Sequence, residues 1–153
     1  MANDFDAELD SIFSEREARI VETRQQVARQ TAATAAFAKA WDRLRASVVV
    51  PALNEAAGAL ARRGVKAEIG ELDYGVRFYL HVNAVHLGRG REREGQPYLT
   101  IRADANTQRI HFERSMSGLG RSDGIGDMPF DEVGADTVKT KALTLIRNLF
   151  SDH

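Results

Sequence analysis

Apolar side chains recur at helical spacing along the first part of the chain, and neither glycine nor proline occurs before Pro51. Alanine, glutamate, arginine and glutamine, which favour helices, dominate this stretch. A largely apolar column with one residue in every seven runs Phe13, Ile20, Val27, Thr34, Trp41 and Val48. The second column that a coiled coil requires is polar between residues 16 and 31, so the heptad pattern is weak there. The spacing predicts one long helix with a narrow apolar stripe in its N-terminal half.

The two halves of this predicted helix differ in how much surface they can bury. Phe37, Trp41 and Leu44 give the C-terminal half a stripe wide enough to cover a sheet, and we expect Trp41 to be buried. The N-terminal stripe is thinner. Because helices in proteins are stabilised mainly by packing, we expect residues 1–32 to form a projecting arm that pairs with a second copy of the chain. The alternative is a frayed arm. Residues 33–153 are then predicted to form a single α+β domain.

Two local signals predict where the helical region bends and where it ends. Pro51 has no backbone N–H to donate to the carbonyl of Ser47, so the helix should kink at this point. The sequence Arg62-Arg63-Gly64 is typical of a helix C-terminus, because glycine readily adopts the left-handed conformation that closes a helix.

From Val65 onwards the hydrophobic period changes from helical to two. The alternating segments are residues 65–69, 76–85, 98–104 and 109–114. Clean alternation indicates an antiparallel sheet with one buried and one solvated face. Turn-forming residues separate consecutive segments, so the pattern predicts a four-stranded antiparallel meander. Its apolar face comprises Phe78, Leu80, Val82, Leu99, Ile101, Ile110 and Phe112.

The C-terminal part of the chain combines a glycine-rich stretch with one more helical pattern. Residues 115–128 are predicted to be a loop, either functional or simply flexible. The helical face that follows consists of Val138, Ala142, Leu145 and Leu149. The predicted fold class is therefore α+β: a long kinked N-terminal helical region, a four-stranded antiparallel meander, and a C-terminal helix packed on one face of the sheet.

Composition excludes several classes of protein. Apolar residues make up 43% and charged residues 28% of the 153 residues, which is ordinary for a globular domain. The chain contains no cysteine, which excludes disulfides, a thiolate nucleophile and zinc–sulfur sites. It shows no secretory signal pattern and no apolar run near the roughly 20 residues that span a membrane. We therefore expect a cytoplasmic protein without membrane contact.

The net charge of −1 is unevenly distributed along the chain. Residues 77–121 contain eight arginines against four acidic residues, a local excess of +4. Arginine and tyrosine are enriched in protein interfaces, and on sheets they also hold phosphates and stack bases. The sequence leaves three interpretations open: an ordinary exposed face, a protein interface, or a nucleic-acid surface. The candidate surface comprises Arg77, Tyr79, His81, Arg89, Arg91, Arg93, Tyr98, Arg102 and His111.

No motif in the sequence points to catalysis or to a cofactor. The glycines between Gly118 and Gly126 match neither the dinucleotide-binding nor the phosphate-loop pattern, and Asp123 would repel a phosphate. His81 and His111 belong to strands that a third strand separates, which places them too far apart for one metal ion. Asp104 and Glu113 on facing strands are the one candidate carboxylate pair. We predict no catalytic residues, no cofactor and no metal.

These observations favour a non-catalytic protein-interaction module. It would be a homo-oligomeric adaptor or chaperone-like protein whose partner is another protein or a second copy of the chain, with a homodimer as the expected state. The alternative is a nucleic-acid-binding module that uses the arginine-rich hairpin and the sheet tyrosines.

Overall fold

The computed structural model describes residues 2–82, 95–117 and 122–150. The helices are α1 (Ala2–Leu44), α2 (Val50–Ala61) and α3 (Ala135–Phe150), with a π-helical turn over Arg45–Val49 and a 3-10 turn over Phe130–Glu132. The strands are β1 (Lys66–Leu72), β2 (Gly75–His81), β3 (Tyr98–Asp104), β4 (Arg109–Ser115) and β5 (Asp123–Pro129). The long N-terminal helix, antiparallel sheet and C-terminal helix agree with the predicted α+β class.

By their internal contacts, the residues form two compact units, Met1–Phe37 and Ala38–His153. The first unit is one helical segment, and its side chains from Asp4 to Ala36 are all exposed except Leu9, which is half-buried. We call residues 4–36 the first-unit helix. The second unit contains the end of α1, the sheet, α2 and α3.

The sheet has five strands in the order β1-β2-β3-β4-β5, each antiparallel to its neighbours. The predicted meander is therefore confirmed, but the predicted number of four strands is wrong. The fifth strand lies in the stretch predicted to be a loop. Its sequence, Asp-Gly-Ile-Gly-Asp-Met-Pro, contains residues that are depleted in strands and shows no alternation. Pairing with β4 therefore decides its conformation.

Glycine is required at one position of β5. Gly126 has a φ of 133°, and a Cβ at this position would lie 2.9 Å from Nζ of Lys141. The same Nζ donates a hydrogen bond to the carbonyl of Ile125 at 2.7 Å. Lys141 on α3 thus holds the edge strand beside a β-bulge in its pairing with β4, between Phe112 and Glu113. A side chain at Gly126 would displace this lysine.

The core lies between one face of the sheet and the helices. Strands β2, β3 and β4 contribute Val76, Phe78, Leu80, Leu99, Ile101, Ile110 and Phe112, all at 0% exposure. Opposite them, α2 packs on β1 and α3 packs on β3, and the two helices contact each other. Trp41 is 3% exposed, so its predicted burial is confirmed. Val82, predicted to be in the core, is instead 36% exposed, because it lies just beyond the end of β2.

The predicted interruption near Pro51 takes the form of the π-helical turn that precedes α2. The N–H of Val50 donates to the carbonyl of Arg45, five residues back, and Pro51 then occupies the first turn of α2. A wider turn rotates every later position by about 100°. For this reason Val49 is fully buried, whereas Val48, which belongs to the seven-residue column, is only half-buried.

The predicted end of the helical region is also confirmed. Helix α2 ends at Ala61, and Gly64 follows with a left-handed φ of 80°. The N–H of Val65 donates back to the carbonyl of Leu60 at 2.9 Å, which closes the helix and turns the chain into β1.

Candidate interaction surfaces

Six residues of the predicted surface lie on one face of the sheet, opposite the core. Arg77, Tyr79 and His81 alternate with buried residues of β2, and the cross-strand pairing aligns them with residues of β3 and β4. We call this the polar face; its predicted members in the structure are Arg77, Tyr79, His81, Tyr98, Arg102 and His111. Arg89, Arg91 and Arg93 lie outside the described residues.

The centre of the polar face is packed rather than solvated, which corrects the prediction of a solvated surface. Thr100 and Ser115 are 2% and 1% exposed. The guanidinium carbon of Arg77 lies 4.1 Å from the centre of the Tyr98 ring, and Arg77 Nε donates to Thr100 Oγ1 at 3.1 Å. The rings of Tyr79 and Tyr98 meet edge to face with centroids 5.8 Å apart. These mutual contacts occupy ring surfaces that a stacking base would need.

Acidic partners accompany the cations of the polar face. Nη2 of Arg102 donates to Oε1 of Glu113 at 3.0 Å, and Nη2 of Arg109 lies 2.8 Å from Oδ1 of Asp127. Glu68 lies 3.3 Å from Lys66 and 3.2 Å from Nε2 of His81. Four cations and four anions occur on the described part of this face, histidines aside; they are Lys66, Arg77, Arg102, Arg109, Glu68, Asp104, Glu113 and Asp127. The arginine excess of the sequence is therefore offset here by carboxylates.

His111 lies between two aspartates at the β3–β4 turn. Its Nε2 is 3.4 Å from Oδ2 of Asp104, and its Nδ1 is 3.8 Å from Oδ2 of Asp127. The N–H of Asn106 donates to Oδ1 of Asp104 at 2.9 Å, and this bond, aided by Thr107 and His111, lowers the pKa of Asp104. The arrangement stabilises a turn. Within the described part of the chain, no three His, Asp or Glu side chains are grouped to hold a metal ion.

The predicted carboxylate pair is not formed. Asp104 faces Arg109 across the strands, and Glu113 faces Thr100. Arg102, between the two acidic residues on the same face, binds Glu113. The two carboxylates therefore serve separate ion-pair clusters.

The first-unit helix exposes large apolar side chains. The predicted column Phe13, Ile20 and Val27 is 55%, 41% and 56% exposed. We call these three residues the apolar column. Phe5 and Ile12, seven residues apart beside it, are 64% and 57% exposed. Their spacing could have revealed a second short column in the sequence, but the prediction missed it.

The threonine hydroxyl groups next to the apolar column are already hydrogen-bonded within the helix. Thr23, Thr31 and Thr34 each donate their hydroxyl to the backbone carbonyl four residues earlier, at 2.9 Å. Their hydrogen-bonding donors are thus satisfied within the helix, and the side-chain methyl groups can be buried without loss of a partner. The stripe available for packing therefore extends beyond the apolar column towards residue 34.

Two cavities lie among the described residues of the second unit, and the sequence did not predict them. One, of about 390 Å³, lies between α2 and α3 over Ala56, Ala59 and Ala142, with the ion pair of Lys139 and Glu55 in its lining. The other, of about 540 Å³, lies beside Trp41; its lining includes Asp42, Arg45, Glu71, Asp73 and Tyr74. Among the described residues, neither lining contains histidine or serine.

Comparison with known proteins adds no family to this description: no protein-family model, curated protein or solved structure matches the chain. In the described residues, no helix combines the length and the apolar character needed to cross a membrane.

Proposed function

We propose that this protein is a non-catalytic, homo-oligomeric interaction module whose first-unit helix binds a second copy of the chain. The observation that carries the proposal is the exposure of the apolar column, at 41–56%, on a helix whose residues 4–36 include no buried side chain. A helix with such a stripe gains most of its stability from packing.

Association of the stripes of two chains is favourable because it buries apolar surface. Fully burying an exposed Phe, Ile or Val side chain contributes about 1.5–3 kcal/mol, and about half of the surface of each of these three side chains is still exposed. A dimer would cover the apolar column of both chains, and the threonine methyl groups beside it would add area at no cost in unsatisfied hydroxyls. Self-association would thus cover three large hydrophobic side chains that the single chain exposes.

The polar face supports a second role in this proposal, as a surface for another protein. Arginine and tyrosine anchor protein interfaces. The side chain of Arg102 is 52% exposed even while it binds Glu113. The balanced charge of this face favours a partner with mixed polar character over a polyanion.

The proposal is tested by removing the apolar column while leaving the helix intact. In the variant Phe13→Gln/Ile20→Gln/Val27→Gln, glutamine retains a good helix propensity but removes the apolar surface. We expect the unaltered protein to be at least dimeric in light scattering and the triple variant to be monomeric. The native emission of Trp41, which belongs to the second unit, should be unchanged.

Val21→Gln is the matched control. Val21 is 51% exposed and follows Ile20 directly, but it lies about 100° away from it around the helix. We expect this variant to remain dimeric. A monomeric mass for the unaltered protein, or equal loss of association in the triple variant and the control, would overturn the proposal.

A further inference from the structure

We infer that the first-unit helices of two copies pair in antiparallel orientation about a two-fold axis at Ile20. This inference rests on the proposed function and adds the orientation and register of the partner. It places Ile20 against Ile20, and Phe13 against Val27 of the other copy. Because Phe13 and Val27 lie seven residues on either side of Ile20, the same apolar column closes on itself, as an isologous interface requires.

The distribution of charge along the helix favours this orientation. Residues 4–10 contain four acidic residues and no base, whereas residues 30–36 contain no charged residue at all. Paired helices lie about 8–10 Å apart, close to the Debye length of about 8 Å at physiological ionic strength, so salt weakens the repulsion between like charges on the two helices without removing it. A parallel pair in register would bring both acidic segments together. An antiparallel pair places each acidic segment along residues 30–36 of the partner, with Arg29 opposite Ser11 and close to Asp10.

Side-chain size favours the same orientation. Leu9 and Phe13, on one side of Ile20, are bulkier than Val27 and Thr31 on the other side. An antiparallel pair sets Leu9 against Thr31 and Phe13 against Val27, so that each contact combines a large with a small side chain. A parallel pair would set large against large at one end and small against small at the other, which no single interaxial distance suits.

The hydroxyl of Thr31 makes the contact with Leu9 compatible with burial. Thr31 Oγ1 already donates to the carbonyl of Val27 at 2.9 Å, so the methyl group is left to face an apolar partner. Leu9 is the one half-buried side chain of the first-unit helix, whereas Thr31 is exposed. The antiparallel pair covers both.

Cysteine crosslinking distinguishes the two orientations. Because the sequence contains no cysteine, only the introduced cysteines can form disulfides. Phe13 and Val27 are about 21 Å apart along a helix, far beyond the Cα separation that a disulfide spans. We expect Ile20→Cys to crosslink to itself under oxidation. Phe13→Cys alone should not crosslink, but Phe13→Cys co-expressed with Val27→Cys under a second tag should form a mixed disulfide dimer. Ala18→Cys, on the opposite side of the helix from Ile20, is the control that should stay uncrosslinked.

The outcomes separate this inference from the proposed function. A dimer in which Phe13→Cys crosslinks to itself and the mixed disulfide is absent overturns the antiparallel orientation and leaves self-association through the stripe standing. A dimer in which Ile20→Cys fails to crosslink overturns both, because the interface then lies elsewhere. A monomer in light scattering also overturns both.

Discussion

At the scale of single residues, Trp41 shows how the end of α1 packs within the second unit. Its side chain is 3% exposed and contributes to a cavity lining together with Glu71 and Tyr74 of the β1–β2 turn region. Tyr74 has a left-handed φ of 54°, and its carbonyl accepts a hydrogen bond from the N–H of Ala103 at 2.8 Å. This backbone hydrogen bond from β3 therefore fixes the β1–β2 turn beside the cavity that Trp41 lines.

Replacing Trp41 by alanine should strongly destabilise the protein. Truncation of a large buried aromatic side chain costs about 3–5 kcal/mol, a large part of a typical free energy of unfolding of about 5–15 kcal/mol. Urea denaturation followed by circular dichroism would measure the change. The control Leu143→Ala alters a side chain that is 53% exposed on α3 and should cost about 0.5 kcal/mol or less. Equal midpoints for the Trp41→Ala variant and the unaltered protein would contradict the burial of Trp41.

Asp104, at the β3–β4 turn, makes a contribution to the stability of the fold that depends on pH. The hydrogen bond from the N–H of Asn106 holds the pKa of Asp104 below the ordinary aspartate value of 3.8. A lowered pKa in the folded state means that the carboxylate stabilises the fold above this value and loses that effect as the pH falls below it. Asp104→Asn should therefore lower the melting temperature at neutral pH, and the difference from the unaltered protein should shrink on acidification through this range.

Thermal melts over a pH series would measure that difference. The exposed residue Asp131, outside this cluster, provides the control substitution Asp131→Asn. A difference for Asp104→Asn that is constant with pH would show that its charge does not stabilise the turn.

At the scale of elements, hydrophobic period predicted the helices and the four strands whose alternation is clear. Alternating residues such as Phe78 and Ile101 identify a strand and its buried face at once, because the side-chain period of a strand is two. Strand β5 carries no such pattern, since its residues are mostly exposed or half-buried and two of them are glycines. Its pairing with β4, the bond from Lys141 and the ion pair between Arg109 and Asp127 hold it in the sheet, and none of these is visible in a local pattern.

The side chains of the polar face were predictable only in part. Alternation placed Arg77, Tyr79 and Tyr98 on one face, and the structure has them there. Their mutual contacts and the ion pairs that neutralise the face depend on cross-strand register, which one strand cannot reveal. The π-helical turn before Pro51 is a similar case: the proline predicted an irregularity but not the shift of burial from Val48 to Val49.

The ion pairs of the polar face lead to an expectation about nucleic acids. Because Arg102 and Arg109 are bound to Glu113 and Asp127, the described part of the polar face leaves few cations to displace counterions from phosphates. We expect weak or no binding of single-stranded RNA or DNA at about physiological ionic strength in fluorescence anisotropy. A sub-micromolar complex whose affinity falls with a log–log salt slope of about −0.7 per phosphate would instead support the nucleic-acid alternative.

At the scale of the whole molecule, the two units differ in how much apolar surface each buries within the single chain. The second unit has its own core, in which Phe78, Phe112 and Leu145 are fully buried. The first unit has no buried core over residues 4–36 and displays its apolar column to solvent. The second unit is thus stabilised by its own core, whereas the single chain leaves the apolar column of the first-unit helix exposed, and we propose that a second copy of the chain covers it.

Self-association through the first-unit helix can be tested by the molar mass of the unaltered 153-residue chain in solution. Sedimentation velocity over a concentration series would give this mass for the unaltered protein and for the Phe13→Gln/Ile20→Gln/Val27→Gln variant. We expect at least twice the 16.9 kDa of one chain for the unaltered protein and the mass of one chain for the variant. A sedimenting mass of one chain for the unaltered protein at every concentration would contradict this expectation.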